Sequence, residues 1–302
     1  MRTIAYFILT IILSLKVSGQ EKERLYSHYT FNSVAINPAY TGTTGMLSTS
    51  ISHRSQWIGF EGAPAYNVFS LHTPFKDTRT GIGFHVLNES LGLRKQTGIY
   101  LNYAYRLSFS RSTLSLGLKA GISTGSFEQV EMGYDDYLYN ENAVRFLLPN
   151  FGLGIYYYSK NFHAGLAVPH ILGYQAGDEG EIVSYHDFKK YAYYFTAGYK
   201  FPLSADWKIY PSLFLEYEKS SGLIGDYSLS VLYKDLFSLG ASYRNTGAVA
   251  MLMNYSINYQ LKLGLAYDYG LNGINEYNRS SVEVVIEYSF GYRLKASNPT
   301  IF

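Results

Sequence analysis

Gly121-Ile122-Ser123-Thr124-Gly125 has the spacing of a hydrolase nucleophile elbow. Such a serine performs acyl transfer only when a strand turns sharply into a helix and lifts its hydroxyl toward a histidine. Here the motif ends an alternating run, Leu114, Leu116, Leu118, Ala120 and Ile122, with no helical pattern behind it, and reads as a chance match in a Gly- and Ser-rich chain. The seven histidines, from His28 to His186, include no His-Glu-x-x-His and no tight His–carboxylate spacing, so no metal is assigned. Residues 126–145 carry Glu128, Glu131, Asp135, Asp136 and Glu141, and residues 178–187 carry Asp178, Glu179, Glu181 and Asp187. Neither stretch has the ligand spacing of a calcium-binding loop, and both read as solvated loop charge. No nucleophile–base pair emerges and no cofactor is implied. The chain reads as a non-enzyme.

Composition points elsewhere. The 302 residues are 47% hydrophobic, 17% aromatic and only 16% charged, with 32 Tyr, 18 Phe and no Cys. Soluble domains carry about 25% charge at similar hydrophobicity. The net charge of +2 falls to zero without Arg2 and Lys16, since 25 − 2 = 23 basic residues face 23 acidic ones, which disfavours a nucleic-acid partner. The missing Cys excludes disulfides, thiolate zinc sites, a cysteine nucleophile and a lipidated amino-terminal cysteine.

Residues 1–19 read as a secretory signal peptide: Arg2, an apolar run from Ile4 to Leu15, and Val17-Ser18-Gly19 permitting cleavage before Gln20. A run of about a dozen apolar residues is short of the roughly 20 that span a bilayer as a helix. No later stretch approaches that length.

From Met46 onward the chain alternates with period two. Thr97, Ile99, Leu101, Tyr103, Tyr105 and Leu107 oppose Gln96, Gly98, Asn102, Ala104 and Arg106, with Tyr100 the exception. Phe151 to Tyr157, Tyr191 to Tyr199, Val249 to Ile257 and Val282 to Tyr292 repeat the pattern. This predicts an all-β chain of about fourteen strands, starting near residues 46, 66, 80, 96, 113, 150, 162, 190, 206, 226, 236, 247, 259 and 281. Links after the first, third, fifth, seventh and thirteenth strands read as long, roughly 8, 8, 26, 20 and 10 residues, and those after the second, fourth, sixth, eighth and tenth as short.

That alternation predicts an outer-membrane antiparallel β-barrel, with both termini periplasmic and the long loops outside. A soluble sandwich would put Lys and Glu on its second face, whereas here that face is mostly Gly, Ser, Ala, Asn and Thr. Tyr156-Tyr157-Tyr158 and Tyr191-Ala192-Tyr193-Tyr194 suit an interfacial girdle. A Lys or Arg facing lipid near the midplane costs roughly 2–4 kcal/mol. Arg54, Arg106, Lys119, Lys200, Lys208, Glu216, Arg244, Lys262, Asp268, Glu283 and Glu287 are therefore expected inside, their mixed signs favouring a filled lumen over an open pore. The expected organisation is 1–19 signal peptide, 20–45 amino-terminal segment, 46–293 barrel and 294–302 tail. Phe31, Val34, Ile36 and Tyr40 make residues 20–45 a candidate plug, because apolar side chains in the periplasm must find shelter and the lumen is nearest.

Three blocks are distinctive: Asn37-Pro38-Ala39-Tyr40-Thr41-Gly42, His53-Arg54-Ser55-Gln56-Trp57-Ile58-Gly59-Phe60-Glu61-Gly62-Ala63-Pro64, and Ser70-Leu71-His72-Thr73-Pro74. With Leu148 to Gly154, Gly165 to His170 and Tyr267-Asp268-Tyr269, they resemble the PorP/SprF family of type IX secretion system membrane proteins, over about Tyr29 to Phe290. The resemblance implies a non-enzymatic outer-membrane barrel that supports export or surface attachment of a cognate large secreted protein. Members are associated with gliding motility, other type IX components, and an adhesin-like partner engaged through its carboxy-terminal sorting domain. Candidate partner-binding or motif residues are then Asn37, Pro38, Tyr40, Gly42, Arg54, Gln56, Trp57, Gly59, Phe60, Gly62 and Pro64. The competing resemblance is to fatty-acid-transporter barrels for hydrophobic small molecules, whose amino-terminal hatch also carries an Asn-Pro-Ala sequence.

Overall fold

The computed structural model describes residues 27–31, 33–75, 79–127, 144–176, 182–185, 187–271 and 280–291. The strands are β1 (Leu47–Ser55), β2 (Ala65–Pro74), β3 (Thr80–Leu91), β4 (Arg94–Ser108), β5 (Ser112–Phe127), β6 (Val144–Ser159), β7 (Phe162–Val168), β8 (Gly173–Ala176), β9 (Ile182–Tyr185), β10 (Tyr193–Tyr199), β11 (Phe201–Pro202), β12 (Trp207–Glu218), β13 (Gly222–Tyr233), β14 (Phe237–Arg244), β15 (Ala248–Ser256), β16 (Leu261–Gly270) and β17 (Ser280–Phe290). β8 and β9 form a separate hairpin, and β11 continues β10 beyond Lys200 along the same partner, β12. The remainder is one up-and-down antiparallel barrel of fourteen strands, each paired with its sequence neighbours. It closes through β1 and β17, from Leu47↔Phe290 to Ser55↔Val282.

All fourteen strands begin within a few residues of their predicted starts; the furthest off are β6, at Val144, and β13, at Gly222. Closure turns the usual burial pattern inside out. Along β4, Leu101, Tyr103 and Tyr105 face outward, Leu101 with 68% exposure, while Asn102, Ala104 and Arg106 are buried. Tyr100 is therefore no exception to the period: it is buried on the inner face in register with its neighbours. Among the described residues no helix is long and apolar enough to cross a membrane.

The strand ends that flank positions 56–64, 128–143, 169–192 and 271–279 all lie at one end of the barrel, and no interval between strands at the other end is longer than positions 75–79. We call these the long-link and short-turn ends. One expectation fails here. The third link is a tight turn at Gly92-Leu93, not a loop, because β3 and β4 stay paired up to Leu91↔Arg94 and Gly92 takes the positive φ that closes the hairpin.

The girdle is half of what the sequence suggested. Tyr157, Tyr199, Trp207, Tyr233 and Tyr255 ring the outside at the short-turn end, and Tyr193, Tyr217, Tyr243 and Tyr269 at the other. Tyr156 and Tyr158, however, are buried in the lumen, since period two sends alternate residues of Tyr156-Tyr157-Tyr158 to opposite faces. The Gly121–Gly125 motif lies wholly within β5, without the helix a nucleophile elbow needs.

Candidate functional site

The lumen is occupied by the chain's own residues 27–45, which include helix α1 (Ser33–Ile36) and a 3-10 turn (Pro38–Tyr40). Its first described residue, Ser27, lies beside Arg54 and Glu283 toward the long-link end. The segment runs to Gly42, beside Thr73 and Gly81 at the short-turn end, and there turns into β1. Its apolar side chains pack on the wall: Tyr29 and Ile36 with Val68 and Phe214, and Val34, Ala39 and Tyr40 with Tyr156 and Tyr158. Such side chains would otherwise face water, so the lumen acts as their core.

Asn37 does the most local work. Its Oδ1 accepts the Ala39 N–H at 2.9 Å, capping the 3-10 turn, and its Nδ2 donates to the carbonyls of Ile155 at 3.0 Å and Leu166 at 3.3 Å. Pro38 suits the first position of that turn because it needs no N–H there. The wall fits because it lacks side chains at the contact. A Cβ on Gly154 would overlap Asn37 Oδ1, one on Gly117 would overlap the Pro38–Ala39 backbone, and one on Gly165 would lie 2.9 Å from Asn37 Nδ2. Glycines inside strands often mark such a close approach of another backbone. Gly42, at φ +76°, donates to His72 Nδ1 at 3.0 Å, and its carbonyl accepts from Arg106, which also donates to Thr80 O at 2.8 Å.

The other end of the segment is held by charge. Arg54 Nη2 lies 2.7 Å from Asp268 and its Nη1 3.6 Å from Glu283, while Arg244 lies 3.1 Å from Asp226 and 3.6 Å from Asp268. Among the described residues two guanidinium groups thus face three carboxylates. The backbone N–H groups of Ser27 and His28 meet the surplus, donating to Glu283 Oε2 at 2.6 and 3.1 Å. Ser27 Oγ donates to Asp268 at 2.6 Å and accepts from Arg54 at 2.8 Å and Arg244 at 3.2 Å. All five charged side chains are buried, Arg54 at 2% exposure and Glu283 at 0%.

A vestibule of about 920 Å³ remains beside the segment toward the long-link end, with Tyr29, Ala35 and Ile36 along its inner side and Gln56, Trp57, Pro64, Tyr174 and Ser220 among its lining. The sequence-predicted residues therefore divide in three. Asn37, Pro38, Tyr40 and Gly42 seat the lumenal segment, Arg54 holds its start, and Gln56, Trp57, Gly59, Phe60, Gly62 and Pro64 form the rim link between β1 and β2. In that link Gln56 N–H donates to Pro64 O at 2.9 Å, Trp57 has φ +48°, and Gly59 and Gly62 have φ +95° and +76°, where glycine avoids a Cβ clash. Gly62 O accepts from Gly92 N at 2.8 Å, joining the rim to the tight third link.

The charged set predicted to face inward does so: Arg106, Lys119, Lys200, Glu216 and Lys262 are buried in the lumen, Glu287 lies 3.2 Å from Lys262, and Lys208 reaches Asp235 of the turn after β13 at 2.5 Å. Sequence reasoning missed Asp226, though the outward register of Tyr227, Leu229 and Val231 signals it. It also missed the seating glycines, whose signal was their inward position within unbroken strands. The proposed signal peptide 1–19, the tail 294–302 and most of both acidic loops fall outside the described residues.

The family described as "Type IX secretion system membrane protein PorP/SprF" matches residues 18–288. No curated protein sequence matches the chain. Among solved structures, the Ralstonia pickettii toluene transporter TbuX aligns at TM-score 0.51 and 10% identity, covering 86% of this chain and 94% of that one. The Acinetobacter baumannii outer membrane protein Omp33 aligns at TM-score 0.46 and 9% identity, covering 82% and 100%. At 10% identity the likeness to the toluene transporter shows a shared barrel fold alone. The family match spans nearly the whole described barrel and includes the segment threaded through it, and the chain accordingly belongs to the PorP/SprF family of type IX secretion system membrane proteins, as an outer-membrane component.

Proposed function

We infer that this protein is a closed, non-enzymatic attachment component that holds a cognate adhesin-like secreted protein at the cell surface by engaging its carboxy-terminal sorting domain, in support of gliding motility. The observation that carries this reading is a lumen filled by residues 27–45, seated at one end and hydrogen-bonded to buried charges of the wall at the other. A barrel so filled offers a partner its rim, not a passage. In this reading the long links face outward, while the start of β1 and the end of β17 face the periplasm, where other type IX components would dock, and the outer tyrosines meet lipid headgroups. Uptake of hydrophobic small molecules is the competing reading; the lumenal segment, seated on Ile155 and Leu166 and packed against the wall, stands across the path such a molecule would take.

Co-purification from detergent-solubilised outer membrane, with bound proteins identified, tests the reading directly: a large secreted protein with a sorting domain is expected. Deletion that alters uptake of a hydrophobic substrate yet leaves surface proteins intact would defeat it. Trp57→Ala and Phe60→Ala are expected to reduce surface display of the partner by more than they reduce folded, heat-modifiable barrel. Phe60 is 56% exposed and so contributes little packing, which makes it the sharper probe. Equal loss of folded barrel and display in both variants would make the rim structural.

A further inference from the structure

Among the described residues, Lys119 is a buried cation without a buried anion. Arg54, Arg244, Lys208 and Lys262 each face a carboxylate within 4 Å, and Arg106 donates to two carbonyls. Lys119, 3% exposed on the inner face of β5, meets the face of the Tyr100 ring at 4.6 Å and, among the described residues, no carboxylate. It also lines the vestibule. An ammonium withdrawn from water without a counter-charge is costly, and one cation–π contact offsets only part of that cost. His85, stacked on the same ring at 5.0 Å, supplies no negative charge, and Glu89 and Glu216 of the lining stand beyond ion-pair reach.

We propose that the vestibule binds a single carboxylate carried on an apolar body, entering from the long-link end, with Lys119 as its counter-charge and Tyr100 as the surface against which it lies. The apolar body is required by the rest of the lining, where Tyr29, Tyr66, Leu87, Tyr174 and Phe214 converge. The volume lies within the range of small-ligand pockets, about 300–1,000 Å³, and admits either a free organic acid or the terminal residues of a peptide chain. This site stands on the vestibule's own chemistry and does not depend on which protein the rim engages.

Binding to the full-length barrel, purified in non-ionic detergent, is measured by calorimetry with matched probes: octanoate against octanol, and an acetylated Leu-Leu-Phe tripeptide with a free against an amidated carboxy terminus. At least one free acid binds the native protein, its neutral analogue binds about tenfold more weakly or worse, and Lys119→Met removes that difference while Lys119→Arg keeps it. Octanoate binding alone identifies a free acid as ligand, tripeptide binding alone a chain terminus, and binding of both the shared chemistry. Heat-modifiability on electrophoresis verifies that each variant is folded, and the acid–neutral comparison on the native protein needs no variant at all. Equal binding of acid and neutral probes, full acid affinity in folded Lys119→Met, or no binding of any probe would each overturn the site; the last result points to a carboxylate of the chain itself as the counter-ion. Loss of this site leaves co-purification of the secreted partner unaffected, so the two readings fail separately.

Discussion

Gly154→Val opens the barrel. In planar bilayers the native protein passes no steady current, whereas this variant gives discrete channels, and its thermal midpoint falls. Gly154 has ordinary strand geometry, so valine suits the wall itself; the new Cβ, however, takes the space of Asn37 Oδ1. Asn37 must move, forfeiting its donations to Ile155 O and Leu166 O and the cap on Ala39 N–H. Three hydrogen bonds at about 1 kcal/mol each, with overpacking of about 1–3 kcal/mol, make a loss of roughly 4–6 kcal/mol in the seating of this segment. That is a large part of what holds so short a stretch in place. Gly154→Ala does the same to a smaller degree, and Asn37→Gly in the Gly154→Ala background recovers stability by removing the obstructed side chain. A conducting native protein, or a Gly154→Val variant that stays silent with an unchanged midpoint, contradicts this account.

Arg54→Met produces the largest loss of folded protein expected of any single charge removal here. It leaves Asp268 with Arg244 and the Ser27 hydroxyl and takes the guanidinium away from Glu283, which keeps its two backbone N–H donors, both carboxylates buried. Removing one partner of a buried ion pair costs about 3–5 kcal/mol, chiefly because the remaining charge stays desolvated. The heat-modifiable form on electrophoresis measures it. Glu283→Gln added to Arg54→Met restores part of the loss, since the glutamine keeps an acceptor for the Ser27 and His28 N–H groups without the stranded charge. Additive losses in the double variant would show that the two side chains do not act as a pair.

The strand count, the inward direction of the charged set and the placement of long links at one end were legible from Met46 onward, because the period-two signal reports a local choice between lipid and lumen at each residue. The third link was misjudged because Asn88, Glu89, Ser90, Arg94 and Lys95 have loop-like polarity, yet all five stay within the paired strands. Tyr156 and Tyr158 were assigned to the girdle because tyrosine suits both a headgroup interface and a polar interior, and composition does not separate the two. Among the candidate site residues, the motif grouped Asn37 with Trp57 and Phe60. The fold separates them, one seating the lumenal segment and the others forming a rim.

By itself, then, the sequence determined the solvent of every strand face, low in charge toward lipid and mixed in sign toward the lumen, and with it an all-β barrel of about fourteen strands. Only the tertiary structure decided what fills that barrel. Ser27 meets Glu283 across 256 residues, and Asn37 reaches Ile155 across 118, pairings fixed by closure of β1 on β17 and by the absence of side chains at Gly117, Gly154 and Gly165. No local period encodes such meetings, because they depend on how far each strand is offset from the next around a closed ring.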